Sequence, residues 1–358
     1  MVRGGIACVG VALWIIGAGC TRPSDETGNT GTVQRAAAGT TLHYFTWSDY
    51  VDRESLARFE RETGAAVVVD TFASNEELLA KLQSGATGYD VAVPSDFMVA
   101  IMIKQGLLAE LDRRAIPNAA LVDARLRHLP FDPDERYAVP YLWGTVGIGY
   151  DADAVRPQPD SWSVLWDARY RHRISMLNDQ REVFGVAFRW MGESINSREP
   201  AAIERAKTAL MEQKPLVKAY TSENYHQLLA FGDVVLAHGW GGAVARAMDE
   251  RPSIRYVVPK EGGTIWADCL VVLKSSTQQA LAARFVNFLL DSHVAARTTD
   301  RLLFASSNRE ARALVSAKHR DNPAIYPPDE AFDRLEWMVD VGDTAKRYDR
   351  AWTEVKLK

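Results

Sequence analysis

Four short segments of this 358-residue chain carry tryptophan, carboxylate or both in places where they could act together. They are Phe45-Thr46-Trp47-Ser48-Asp49-Tyr50, Asn178-Asp179-Gln180-Arg181-Glu182, Gly239-Trp240-Gly241-Gly242 and Ile265-Trp266-Ala267-Asp268. The chemistry such residues suit is capture of an organic cation. An aromatic face attracts an ammonium group by about 0.5–2 kcal/mol. A carboxylate neutralises the same group through a charge-assisted hydrogen bond. Aromatic walls also accept the methylene stretches between two amines. A lone tryptophan is ordinarily a core residue and a lone Asp before a helix ordinarily a cap, so the argument rests on the four segments together. Asp268 is the hardest to explain as structure, because a carboxylate inside Trp-x-Asp-x-Leu-Val-Val is costly to bury unpaired.

The elements that must position these residues alternate between short β-type runs and amphipathic helices. Leu42–Trp47 reads as a strand, Asp52–Thr63 as a helix ended by Gly64, and Ala66–Thr71 as a second strand. Ser74 and Glu77 form a capping box for a helix carrying Leu78, Leu79 and Leu82. Tyr89–Val93 is a third strand, followed by Pro94-Ser95 and another helix. A second unit begins after Tyr141-Leu142-Trp143-Gly144, with strands at 173–177, 216–221, 234–240, 254–259 and 264–274. Helices fall between these strands at about 181–192, 201–212, 223–231 and 242–250, and another follows at 276–290. This order predicts an α/β fold with a mostly parallel sheet. Three of the four segments fall at strand ends, where ligands bind in open α/β sheets.

Signatures of catalysis are missing. The chain has no G-x-G-x-x-G opening a helix after a strand, no phosphate loop, no G-x-S-x-G elbow and no H-E-x-x-H. The seven histidines are scattered without ligand spacing, so no metal and no cofactor is expected. His238, beside Trp240, reads as a core histidine. Cys269 follows Asp268, and a neighbouring carboxylate discourages a nucleophilic thiolate. A formal net charge of −4 offers no basic excess for nucleic acid.

The start of the chain reads as an export leader. Arg3 supplies a positive charge, Gly4–Ile16 is apolar, and Gly17-Ala18-Gly19-Cys20 follows. The apolar run is shorter than the roughly 20 residues of a spanning helix. Residues 1–19 therefore read as a signal resembling that of bacterial lipoproteins, with lipid added at Cys20, although Gly17 stands where Leu is usual. Residues 20–40 are polar and lack apolar periodicity, which suits a flexible tether to a membrane.

The segments FTWSDYV, SNEELLAKL, YDVAVPS, YAVPYLWGTVGIGY, REVFG, VPKEGG and NPAIYPP resemble the substrate-binding proteins of bacterial spermidine/putrescine ABC transporters. The resemblance runs from about Thr41 to the C-terminus. It implies a two-lobe type II periplasmic-binding fold, of α/β class, with a polyamine in the cleft and closure on binding. One lobe would comprise 41–142 and 267–312, the other 148–264 and 313–358, with hinges near 143–147 and 265–266. Its partners would be a polyamine, spermidine favoured over putrescine, and an ABC permease. A sensing role for a signalling receptor, or another organic cation such as thiamine, is the alternative.

Carried over by motif, the resemblance implies Trp47, Tyr50, Trp240 and Trp266 as walls and Asp49, Asp179, Glu182 and Asp268 as charge partners. Ser95 and Ser222 match hydroxyl contacts. Phe97 and Phe304 stand where family members often present a hydroxyl, Met338 replaces a Gln, and Ala243 replaces an Asp of putrescine-selective members. Asp96 is additional and is read as a helix cap.

Overall fold

The alternation of TLHYFTW, with its inward residues buried, makes β1 (Thr41–Trp47) the first strand of the sheet. The computed structural model describes residues 1, 36–37, 39–48, 50–85 and 88–357. The leader, Cys20, most of the tether and Asp49 lie outside these. Helix α1 (Arg53–Thr63) follows, capped by Asp52 and ended at Gly64, whose φ of 77° is the left-handed value its sequence position requires. Strand β2 (Ala66–Phe72) and β3 (Val91–Ala92) pair parallel to β1 on either side. Before α2 (Asn75–Gln83), Ser74 Oγ accepts from the Glu77 N–H at 3.1 Å, while Glu77 reaches back one residue further than expected, to the N–H of Ala73. Helix α3 (Asp96–Lys104) then packs its apolar face on the sheet.

Strand β4 (Ala138–Asp151) is fully buried along its 14 residues and runs through the middle of the molecule. Beyond it come β5 (Ile174–Met176), α4 (Gln180–Trp190), α5 (Pro200–Gln213), β6 (Val217–Tyr220), α6 (Tyr225–Ala230), β7 (Leu236–Trp240), α7 (Gly241–Glu250) and β8 (Ile254–Val257). Strand β9 (Gly263–Val272), α8 (Gln279–Leu289), α9 (Ser292–Leu302), β10 (Ala305–Ser306) and β11 (Leu335–Trp337) follow, and a terminal helix spans Ala345–Leu357. The strand order is β2-β1-β3-β9-β4-β7-β5-β6. The outer strands pair parallel, as their helical connections demand, whereas pairings of β4, and of β9 with β3, are antiparallel.

The segment read from sequence as the boundary of a second unit is thus the interior of one strand. Residues Ala138–Thr145 of β4 pair with β9, and from Val146 onward the partners are β7 and β8. This change of partner divides the sheet into two halves that share β4. Phe285 on α8 anchors the first half, edge-on to Tyr44 at 5.0 Å and Phe59 at 4.9 Å. Among the described residues, no helix is long and apolar enough to cross a membrane.

Candidate functional site

Alternate residues of a strand share a face, so Thr264, Trp266 and Asp268 project together from β9. Their partners across the antiparallel ladder extend the same face. Leu142 lies opposite Asp268, Gly144 opposite Trp266 and Val146 opposite Trp240. Both tryptophans therefore flank β4 on one side, at the point where it changes partners. Gly144 is required there, because a Cβ would meet the Trp266 indole Cζ2 at 2.7 Å.

Asp268 is buried, and both its oxygens are held. The Tyr50 hydroxyl donates to Oδ2 and the Ser95 hydroxyl to Oδ1, each at 2.7 Å. Asn75 fixes Ser95 in turn: its Nδ2 donates to Ser95 Oγ and its Oδ1 accepts the Ser95 N–H, both at 3.1 Å. Tyr50 and Ser95 spend their hydroxyl protons on the carboxylate and so support it, and the Tyr50 ring is buried. Burial outweighs the two donors and pushes the Asp268 carboxyl up to about 6.

On the other half, Asp179 caps α4 through Oδ1, which accepts the N–H groups of Arg181 and Glu182 at 2.9 and 3.0 Å. Burial still raises its carboxyl above the usual range. Glu182 follows in the first turn, and its Oε2 accepts the Thr264 hydroxyl at 2.8 Å. Burial, with the Asp179 charge beside it, lifts Glu182 to about 8. Arg181 turns away, donating to the Val339 carbonyl and Asn196 Oδ1 and lying over the Tyr348 ring.

The aromatic residues divide. Phe304 lies between Tyr50 and Trp266, with ring centroids 5.6 and 5.4 Å away, and a Cβ on Gly242 would run into it. Trp240 caps α7, its carbonyl accepting from the Tyr225 hydroxyl at 3.1 Å. Trp47 is partly exposed against Phe72 and lines a cavity of about 570 Å³ with Val51, Leu303, Arg246 and Asp249. Phe97 is half-buried on α3, and the Ser222 hydroxyl accepts the Asn178 N–H at 3.1 Å. Of the sequence-derived set, Asp268, Ser95, Tyr50, Trp266 and Phe304 form one connected cluster, which Thr264 links to Glu182 and Asp179. Among the described residues, no hydrogen bond or ring pair joins Trp47 or Ser222 to that cluster.

Sequence reasoning missed Thr264 and Asn75. Thr264 was legible in principle, as the residue two before Trp266 on the same strand face. Asn75 was not, since its partner is 20 residues away. Asp96 does more than cap: it also accepts an N–H from β9. The non-catalytic readings can be located too. Cys269 is fully buried, its thiol pushed up by burial and by Asp96 and Asp268. His238 is fully buried, drawn down to about 3 by burial, with the Leu177 N–H on Nδ1 at 3.5 Å.

Three comparisons bear on this site. The profile of the bacterial extracellular solute-binding protein family matches residues 54–353. The spermidine/putrescine-binding periplasmic protein of Salmonella typhimurium is 34% identical over 323 residues, covering 90% of this chain and 93% of that protein. A putrescine-binding periplasmic protein of Escherichia coli is 34% identical over 343 residues, covering 90% and 92%. The crystal structure of the substrate-binding protein of a spermidine/putrescine ABC transporter from Streptococcus pneumoniae superposes with a TM-score of 0.83 at 29% identity, covering 89% of this chain and 99% of that one. These relatives are binding proteins, not enzymes.

Proposed function

The chain belongs to the bacterial extracellular solute-binding proteins, and from that premise we propose that it captures a polyamine between the two halves of its sheet and hands it to an ABC permease. One observation carries the reading: Asp268 is a buried carboxylate with no ion-pair partner among the described residues, set in a row on β9 with Trp266 and with Thr264, whose hydroxyl holds the buried Glu182. A protonated amine supplies the missing charge, and the indole rings take the methylenes between amines. Binding then favours the closed arrangement by its greater affinity for it. The proposed lobes are 41–142 plus 267–312 and 148–264 plus 313–358, hinged where β4 changes partners between Thr145 and Val146.

Spermidine is favoured over putrescine. The two end carboxylates are anchored through β9 at Asp268 and Thr264, four residues apart, or about 13 Å of strand. That length suits a triamine better than a four-carbon diamine. The leader and Cys20 add export and a lipid anchor, so the mature protein works outside the cytoplasm, tethered to a membrane. Calorimetry with spermidine tests the site. Asp268→Asn should weaken binding more than tenfold with the fold intact by circular dichroism. Unchanged affinity would remove Asp268 from the site, and a wild-type protein that binds no polyamine would end the reading altogether. Radiolabelled palmitate should enter the wild type and not Cys20→Ser.

A further inference from the structure

A further buried carboxylate beside β9, Asp96, has no part in this account. It occupies the first turn of α3, where an acid normally stays in solvent and interacts with the helix dipole. Here it is 2% exposed. Oδ1 accepts the N–H of Phe97 at 2.6 Å, and Oδ2 leaves its own helix to reach the N–H of Ala267 on β9 at 3.4 Å. Ala267 lies between Trp266 and Asp268, so the carboxylate sits at the edge of the site's own strand. Among the described residues it makes no ion pair. The nearest charges are Asp268 on its own half and Arg181 and Glu182 on α4 across the divide.

Two N–H groups, one of them long, do not compensate a buried carboxylate. Three other deeply buried acids are better served. Asp52 is bonded to Arg297 and Asp151 to Arg251, each at 2.6 Å, and Asp132 accepts three backbone N–H groups. Asp96 has neither a cation nor a third donor, and its burial, with the Asp268 charge added, pushes it up to about 8. Burial without a cation thus favours its protonated form in the empty site.

Building on the polyamine reading, we infer that Asp96 is a specificity-determining residue that receives an inner ammonium group of the ligand, selecting amines with three or more charges over diamines. Its contact with Ala267, which lies on β9 between Thr264, the partner of Glu182, and Asp268, is the ground for this. A diamine carries charge enough for only two acids, and only a ligand with a third charge along its length can serve Asp96 together with Asp268 and Glu182. When that charge arrives, the carboxyl loses its proton to solvent, so capture of a triamine releases protons that capture of a diamine does not.

The test is calorimetry of the full chain and Asp96→Asn with spermidine and with putrescine, each in two buffers of different ionisation enthalpy. Asp96→Asn should bind spermidine about tenfold more weakly and putrescine within about twofold of the wild type. Proton release on spermidine binding should fall in the variant. Equal losses for both amines would mark a packing role, and no loss would leave Asp96 a cap; either result overturns the inference while leaving the polyamine reading standing. Should Asp96→Asn not fold, the wild type decides alone: equal proton release with both amines overturns the inference. A wild type that binds neither amine defeats the underlying reading instead.

Discussion

Asp52 and Asp151 are as deeply buried as Asp96, Glu182 and Asp268, at 7% and 3% exposed against 2%, 5% and 7%. Their surroundings differ completely. Arg297 bonds Asp52 and Arg251 bonds Asp151, each at 2.6 Å. Burial pushes Asp52 upward, yet bonds from Ser55 and Arg297 outweigh it and hold the carboxyl below its usual range. The three acids around β9 have hydroxyl and N–H donors but no ion pair, and all are raised. The fold can evidently place a guanidinium beside a buried acid where it needs one. Leaving three acids unmatched in one place costs stability, a cost that functional sites commonly carry and that a bound cation removes.

That contrast can be broken from either side. The largest effect is expected at the paired acids. Arg251→Met strands Asp151 and should cost about 2 kcal/mol in chemical denaturation, below the usual figure for a buried pair because Arg251 is itself partly exposed. Spermidine affinity should stay within twofold. A loss of affinity as large as the loss of stability would erase the distinction between the two regions.

At the unmatched acids the pattern should invert. Glu182→Gln should reduce spermidine affinity about tenfold, while the melting temperature of the empty protein holds or rises, because a neutral amide carries no cost of ionising in a buried place. A lower melting temperature with full affinity would show Glu182 to be structural.

The pH dependence sharpens the comparison with no substitution. These acids have folded pKa values above their unfolded ones, so the native state binds more protons than the unfolded chain between them. The empty protein should therefore lose stability as pH rises from about 4 to about 8. Spermidine affinity should move the opposite way, gaining several-fold between pH 6 and 8, because fewer protons must be displaced. Thermal melts and calorimetry across that range read both trends, and flat profiles would mean that the acids are already ionised.

The smallest effect concerns the wall. Gly144→Ala places a methyl against the Trp266 indole and should cost about 1 kcal/mol in stability with a few-fold loss of affinity. Full affinity would take Trp266 out of the ligand's path.

How much of this was legible depended on the range of the interaction. The cap of α1 at Asp52, its stop at Gly64 and the Ser74 cap of α2 are local, and each follows from residue types a few positions apart. Strand β4 was not read, because Pro140 and the glycines at 144, 147 and 149 are poor strand formers. The structure explains them: the register slips between Pro140 and Leu142, and Gly144 makes room for an indole ring. Within the site, the acids and tryptophans could be picked out as types. The division of labour among them could not. Tyr50, read as a wall, also bonds Asp268 through its hydroxyl, and Asp96, read as a cap, also reaches another strand.

By itself, the sequence determined the α/β alternation, the missing catalytic motifs and the set of residue types able to hold a cation. Hydrophobic period, capping chemistry and motif composition are properties of neighbours along the chain, so they survive without a fold. Tertiary structure alone decided which buried acids receive a cation and which do not. Tyr50 and Ser95 meet Asp268 across 218 and 173 residues, and Arg297 meets Asp52 across 245. Charge compensation in a low-dielectric interior depends on distances of a few ångströms, which only the folded chain sets.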